Sequence, residues 1–151
     1  MNSLPLEVQK FLSLHNLATI ATVSEDNDYP YVLPVFYIID DNSTLYFASH
    51  KDSKKIRNIL SHPHIGISIT DAAILTSLQL HGKAIVSEQN NELFNKILAV
   101  ANENSGSSFA PIMQLQTGVV QVVTFTIDWY RLASYSDNQP DFIEGALEHK
   151  S

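Results

Sequence analysis

The apolar positions first recur at helical spacing and then switch to alternation. Leu4, Val8, Phe11, Leu12 and His15 fall three and four apart, which predicts a first helix with one face turned inward. Ser3 stands where a cap is expected, with Pro5 in the opening turn and Glu7 complementing the helix dipole. Residues 17–24 are rich in β-branched side chains and predict a strand, closed by the polar turn Glu25-Asp26-Asn27-Asp28. Residues 29–39 predict a second strand. Its prolines, Pro30 and Pro34, place it at an edge or a bulge, because proline cannot donate to a ladder. Asp40-Asp41-Asn42 turns the chain into a third strand at 44–49.

A short helix is predicted over 53–60, with Ile56, Ile59 and Leu60 as its buried stripe, ended by His62-Pro63. Strands follow at 65–70 and 75–87, with Gly82 marking a bulge in the second. Residues 88–101 predict a helix that buries Leu93, Phe94, Ile97, Leu98 and Ala101; residues 102–111 read as a polar loop. Residues 119–132 predict a long β-branched strand. From Ser136 the pattern turns polar, so residues 1–136 are expected to form one domain and 137–151 a polar, mobile tail. Sequential strands joined by short connections predict an antiparallel sheet. Five to seven of them predict a closed or half-open barrel, which hides sheet edges, with helices over its ends.

Composition narrows the function classes. A formal net charge of −7 argues against a general nucleic-acid binder or a polybasic membrane anchor. There is no cysteine, which excludes disulfides, thiolate metal sites and cysteine nucleophiles. No apolar run is long enough to read as a transmembrane helix, and the N-terminus lacks the pattern of a secretory leader. A cytoplasmic location is therefore expected. The sequence has no dinucleotide-binding glycine fingerprint, no phosphate-binding Walker loop and no nucleophile elbow. His62 and His64 flank a proline without a third ligand nearby, so no metal site is expected.

The basic residues are unevenly placed. Of nine Lys and Arg, Lys51, Lys54, Lys55 and Arg57 crowd together at the start of the second predicted helix. A helix N-terminus already carries partial positive charge, so lysines there are unfavourable unless an anion relieves them. A phosphate would receive backbone N–H groups, the Ser53 hydroxyl and lysine ammonium groups together. The other reading is a solvated basic turn, with Asp52 capping the helix.

The order of motifs around that cluster carries a resemblance. Leu45-Tyr46-Phe47-Ala48-Ser49 precedes Ser53-Lys54-Lys55, then Ile59, Pro63 and the strand Ile65-Gly66-Ile67-Ser68-Ile69. Gly82-Lys83-Ala84, and Trp129 with Arg131, complete the series. The chain resembles the FMN-binding split β-barrel family of pyridoxamine 5′-phosphate oxidase-like proteins, over residues 11–135. His62 departs from the family's Asn before the proline.

The resemblance implies a mainly β fold with short helices, an antiparallel split β-barrel that binds FMN. It implies that Ser53, Lys54 and Lys55 hold the phosphate, and that Phe47, Ala48 and Ser49 run beside the ribityl chain. Tyr31, Val32, Leu33 and Pro34 would present backbone to the isoalloxazine edge. Ser77 or Gln79, and Trp129, would reach the flavin from the partner of a homodimer with its sites at the interface. Oxidoreductase chemistry on an unknown small molecule follows, with no particular catalytic side chain expected. The alternative is a non-catalytic flavin- or haem-binding module acting as sensor, store or carrier, with His50, His64 or His81 as axial-ligand candidates for haem. True pyridoxamine 5′-phosphate oxidases carry a basic C-terminal segment; the acidic tail here, with Asp137, Asp141, Glu144 and Glu148, argues against production of pyridoxal phosphate.

Overall fold

A computed structural model describes residues 3–87, 91–105, 120–136 and 138–149. The elements are α1 (Leu6–Leu14), β1 (Leu17–Val23), β2 (Pro30–Phe36), β3 (Ile38–Ile39), β4 (Leu45–His50), α2 (Lys54–Ser61), β5 (His64–Asp71), β6 (Thr76–Ser87), α3 (Asn91–Ser105), β7 (Val120–Ser134) and β8 (Asp141–Ala146). The strands form one antiparallel sheet in the order β2-β1-β5-β6-β7-β4-β3, with β8 added to β7. Only Tyr37 separates β2 from β3, yet these strands stand at opposite ends of that order. The sheet must therefore roll up until its ends meet, which gives the expected split barrel.

Tyr37 explains why one predicted strand became two. Its side chain is buried, its hydroxyl donates to the Leu12 carbonyl at 2.7 Å, and its N–H donates to Asn16 O at 2.8 Å. Those bonds take the residue out of the ladder and anchor the crossing under the end of α1. Pro30 and Pro34 do lie on an edge strand, since β2 pairs along one side with β1.

The core fills the barrel. Val8, Leu12, Ile20, Phe47, Ile56, Leu80 and Phe125 are buried there, and a smaller cluster of Phe94, Ile97, Ala48 and Val122 lies under α3. The alternating pattern of β6 follows from one face on this core and one face outside. The register shifts at the expected place, between His81 and Gly82, but the extra residue is Asp128, so the bulge belongs to β7 and not to β6. A Cβ at Gly82 would sit 2.1 Å from Thr126 O and 2.6 Å from the Phe125 ring, so only glycine allows β6 and β7 to approach here.

Four local expectations change. Ser3 does not cap α1; Pro5 holds the N-cap position without a side-chain bond, and its carbonyl accepts from Val8 and Gln9. Leu60 is exposed, and the inward face of α2 is instead Lys55, Ile56, Asn58 and Ile59. The third helix continues to Ser105, through residues read as loop, while residues 88–90 and 106–119 lie outside the described set. The segment after Ser136, read as a polar tail, contains β8, which pairs with β7 from Trp129 to Ser134. Its Ile143 packs against the core cluster, a contact that isolated apolar positions in a polar stretch do not announce.

Candidate phosphate cradle at the start of α2

α2 begins where β4 ends, and that junction gathers the polar groups. Ser53 is the N-cap, in extended backbone, and its hydroxyl accepts from the Ile56 N–H at 3.3 Å. Asp52 does not take that role. The Ser53 hydroxyl also lies 2.8 Å from the Ser49 hydroxyl at the end of β4. Lys55 reaches back from the first turn and donates to Ser49 Oγ at 3.0 Å.

Lys55 is only 9% exposed, and among the described residues the hydroxyl of Ser49 is its sole side-chain partner. Burial pushes its ammonium down from the usual 10.5 to about 8. The neighbouring cations are placed differently. Lys54 pairs with Asp26 at 2.8 Å, and Arg57 pairs with Glu25 at 2.8 Å while also donating to Asp52 O. The hydrogen bond from Lys54 holds the Asp26 carboxyl below its usual range. Lys51 is exposed. Sequence shows four equivalent cations; the fold neutralises two with the β1–β2 turn and leaves one buried beside hydroxyls.

The cradle is a set of donors. Of the three ammonium protons on Lys55, one is spent on Ser49. The two serine hydroxyls share one bond, which leaves the second O–H to donate elsewhere. The first intrahelical bond runs from Arg57 N–H to Ser53 O, so the N–H groups of Lys54 and Lys55 precede the ladder. Such a collection suits an anion with several acceptor oxygens.

The other predicted site residues fall into separate groups. Phe47 is buried in the barrel core and Ala48 packs under α3, so beside Ser49 these two offer backbone and not side chains. Tyr31, Val32, Leu33 and Pro34 lie on edge strand β2, with Val32 and Pro34 exposed. Their strand is tied to α2: the Thr22 hydroxyl lies 3.4 Å from Tyr31 O and accepts from buried Asn58 at 3.0 Å. Ser77, Gln79 and Trp129 lie on the outer sheet face, where Gln79 pairs with Arg131, and Trp129 pairs with His81 and stacks on it at 4.7 Å. On β7, Trp129 is roughly 27 Å from Gln121, the partner of Ser49, at about 3.4 Å per residue. One copy of the chain does not bring this group to the cradle.

Asn58 and Thr22 did not emerge as site residues from the sequence. The available signal was spacing: Asn58 lies three after Lys55 and one before Ile59, on the inward face of a helix only eight residues long. Among the described residues, no cluster of three or more His, Asp or Glu side chains is placed to hold a metal. No described helix is long and apolar enough to cross a membrane.

The sequence pattern of pyridoxamine 5′-phosphate oxidase matches residues 4–133. The chain belongs to the pyridoxamine 5′-phosphate oxidase family. Solved structures of this family and its relatives share the fold. One is a pyridoxamine 5′-phosphate oxidase-related, FMN-binding protein from Nostoc punctiforme (13% identity, 99% of this chain and 100% of that one, TM-score 0.66). Another is a FAD-binding protein from Mesorhizobium loti (17% identity, 88% and 96% covered, TM-score 0.66). A third is a haem-binding protein from Mycobacterium smegmatis (16% identity, 94% and 59% covered, TM-score 0.61). No curated protein matches the chain. At these identities the likeness establishes the architecture of this family member, and its ligand has to be argued from its own residues.

Proposed function

We propose that this family member is an FMN-binding flavoprotein that works as a homodimer and carries out oxidoreductase chemistry. The observation that carries the reading is Lys55, a buried cation that donates to the Ser49 hydroxyl and, among the described residues, meets no carboxylate. Burying a charge is costly unless it is paired, so the cradle is suited to a phosphate that supplies the missing charge. Ser49, Ser53 and Lys55 would hold that phosphate with side chains. Lys54 would contribute its first-turn N–H, its ammonium being held by Asp26.

The ring would lie toward β2. Pro30, Val32 and Pro34 alternate onto the open edge of that strand, while Tyr31 and Leu33 turn their backbone toward β1, so the edge offers the Val32 backbone and the proline carbonyls to a planar heterocycle. FMN supplies a ring that accepts and passes on a hydride. The chain's own task is then to anchor the phosphate, align the ring edge and exclude water. That division of labour fits a site without an evident side-chain acid or base. The outer-face group of Ser77, Gln79 and Trp129 would reach the same ligand only from a second copy, which is what the proposed homodimer supplies.

The absorbance spectrum of the purified protein tests the reading most directly. Flavin bands, release of FMN on denaturation, and reduction of the bound flavin by a cellular donor are the expected results. A haem band would favour the carrier or sensor alternative. A flavin that no donor reduces would leave a binding module. Light scattering that shows a monomer at micromolar concentration with FMN present would overturn the shared site.

A further inference from the structure

α2 is held from two directions, and the second has no part in the phosphate cradle. Lys55 and Ser53 face β4. Lys54, Arg57 and Asn58 face the β1–β2 hairpin. Two of these last contacts are ion pairs at the surface, where solvent screens them. Asn58 is different, because it is fully buried.

Both polar atoms of the Asn58 carboxamide bond to the hairpin. Its oxygen accepts from the Glu25 N–H at 3.0 Å, and its nitrogen donates to Thr22 Oγ1 at 3.0 Å. Thr22 is itself buried and turns its hydroxyl proton toward Tyr31 O at 3.4 Å. Ser24 makes the adjacent tie, donating to Tyr29 O at 2.6 Å. A continuous path thus runs from the middle of α2, through β1, to the start of β2. A buried polar path in which each side-chain polar atom has a partner resists displacement, since moving either end leaves an unpaired group in the core.

On the FMN reading above, α2 carries the phosphate end of the ligand and β2 the ring end. We propose that Asn58 is a positioning residue, which acts through Thr22 to fix the spacing between the phosphate cradle on α2 and the ring-edge strand β2. FMN uses two subsites joined by a short chain. Its affinity beyond that of either part depends on both subsites standing at the matching distance. Loosening the Asn58–Thr22 path leaves each subsite intact and lowers the benefit of using both at once.

The test measures three ligands on the full chain freed of flavin. FMN and riboflavin are followed by fluorescence, and inorganic phosphate by phosphorus NMR. Asn58→Ala is expected to weaken FMN by about tenfold, while riboflavin and inorganic phosphate each change by less than about twofold. Thr22→Val is expected to give the same pattern, and Thr22→Ser, which keeps the hydroxyl, to restore wild-type binding. The double variant Asn58→Ala, Thr22→Val should be no worse than either single one, because both break one path. If Asn58→Ala does not fold, the Thr22→Val and Thr22→Ser pair carries the test. A parallel loss of all three ligands, or unchanged FMN affinity in a folded variant, overturns the positioning role. A wild-type chain that binds neither FMN nor riboflavin overturns the function proposed above, which is a separate result.

Discussion

The two sides of α2 show how differently neighbouring cations of one sequence cluster are used. On the side toward the β1–β2 turn, Lys54 and Arg57 each find a carboxylate, Asp26 and Glu25. These pairs are partly exposed and electrically closed. On the side toward β4, Lys55 is buried and, among the described residues, its side chain bonds only to Ser49. The first side fastens the helix to the barrel without calling for a ligand. Among the described residues, the second leaves positive charge unbalanced where water is scarce, an arrangement suited to an anion. A cluster of lysines is therefore not a site in itself; the fold decides which member remains open.

Removing Lys55 should break the contrast most strongly. Lys55→Met keeps the length of the side chain and discards the charge. FMN affinity is expected to fall by roughly ten- to a hundredfold, since hydrogen bonds to charged groups contribute about 1.5–3 kcal/mol. Riboflavin, which lacks the phosphate, should be nearly unaffected. The melting temperature of the flavin-free protein at neutral pH should rise, because the variant no longer buries a lone ammonium. Fluorescence titration and thermal unfolding read these two effects, and their opposite signs separate a binding residue from a structural one. A fall in both would return Lys55 to the core.

A pH series sharpens the same side of the comparison. Burial lowers Lys55 from 10.5 to about 8, so the folded protein loses this proton more readily than the unfolded chain. Only the ammonium form attracts the phosphate. FMN affinity should therefore hold between about pH 6.5 and 7.5, where the phosphate is a dianion, and decline above pH 8 by up to about tenfold per unit. Flavin-free stability has the opposite slope. Between pH 8 and 10.5 the unfolded chain holds more protons, and this one group makes the folded protein more stable as pH rises. Calorimetry in two buffers should detect proton uptake on binding near pH 8 in the wild type and none in Lys55→Met. A flat affinity profile through that range would remove Lys55 from the phosphate site.

The smallest effects belong to the other side of the helix. Lys54→Ala should change FMN affinity by less than about threefold, and its effect on thermal stability should vanish in high salt, as expected of a solvent-screened pair. Arg57→Ala should behave alike. A tenfold loss of FMN in Lys54→Ala would mean that its ammonium leaves Asp26 for the ligand, and the two sides would no longer be distinct.

Much of the barrel was legible in the pattern of residues. The alternation in β6 and the β-branched run of β7 marked strands with one buried face, because side chains on a pleated strand point to opposite sides in turn. Gly82 marked the place of the register shift, since a side chain there has no room. Two prolines marked β2 as an edge, because a missing N–H is tolerated only where no partner strand needs it. The placement of Ser53 and Lys55 at the start of α2 was equally visible, because capping and helical spacing are local.

What the sequence left undetermined depends on partners far along the chain. Leu60 and Asn58 lie two apart on one short helix, and hydrophobicity alone assigns the wrong one to the interior. Asn58 is buried because Glu25 and Thr22, more than thirty positions away, satisfy its carboxamide. Lys54 and Lys55 differ for the same reason, since Asp26 comes within reach of only one of them. The split in the second strand likewise follows from Tyr37 finding Leu12 and Asn16 as partners. Local pattern determined which segments could be helix or strand, through the periodicity of apolar side chains. Tertiary structure decided which polar groups are paired and which charge is left over, because that depends on contacts made only when the sheet closes.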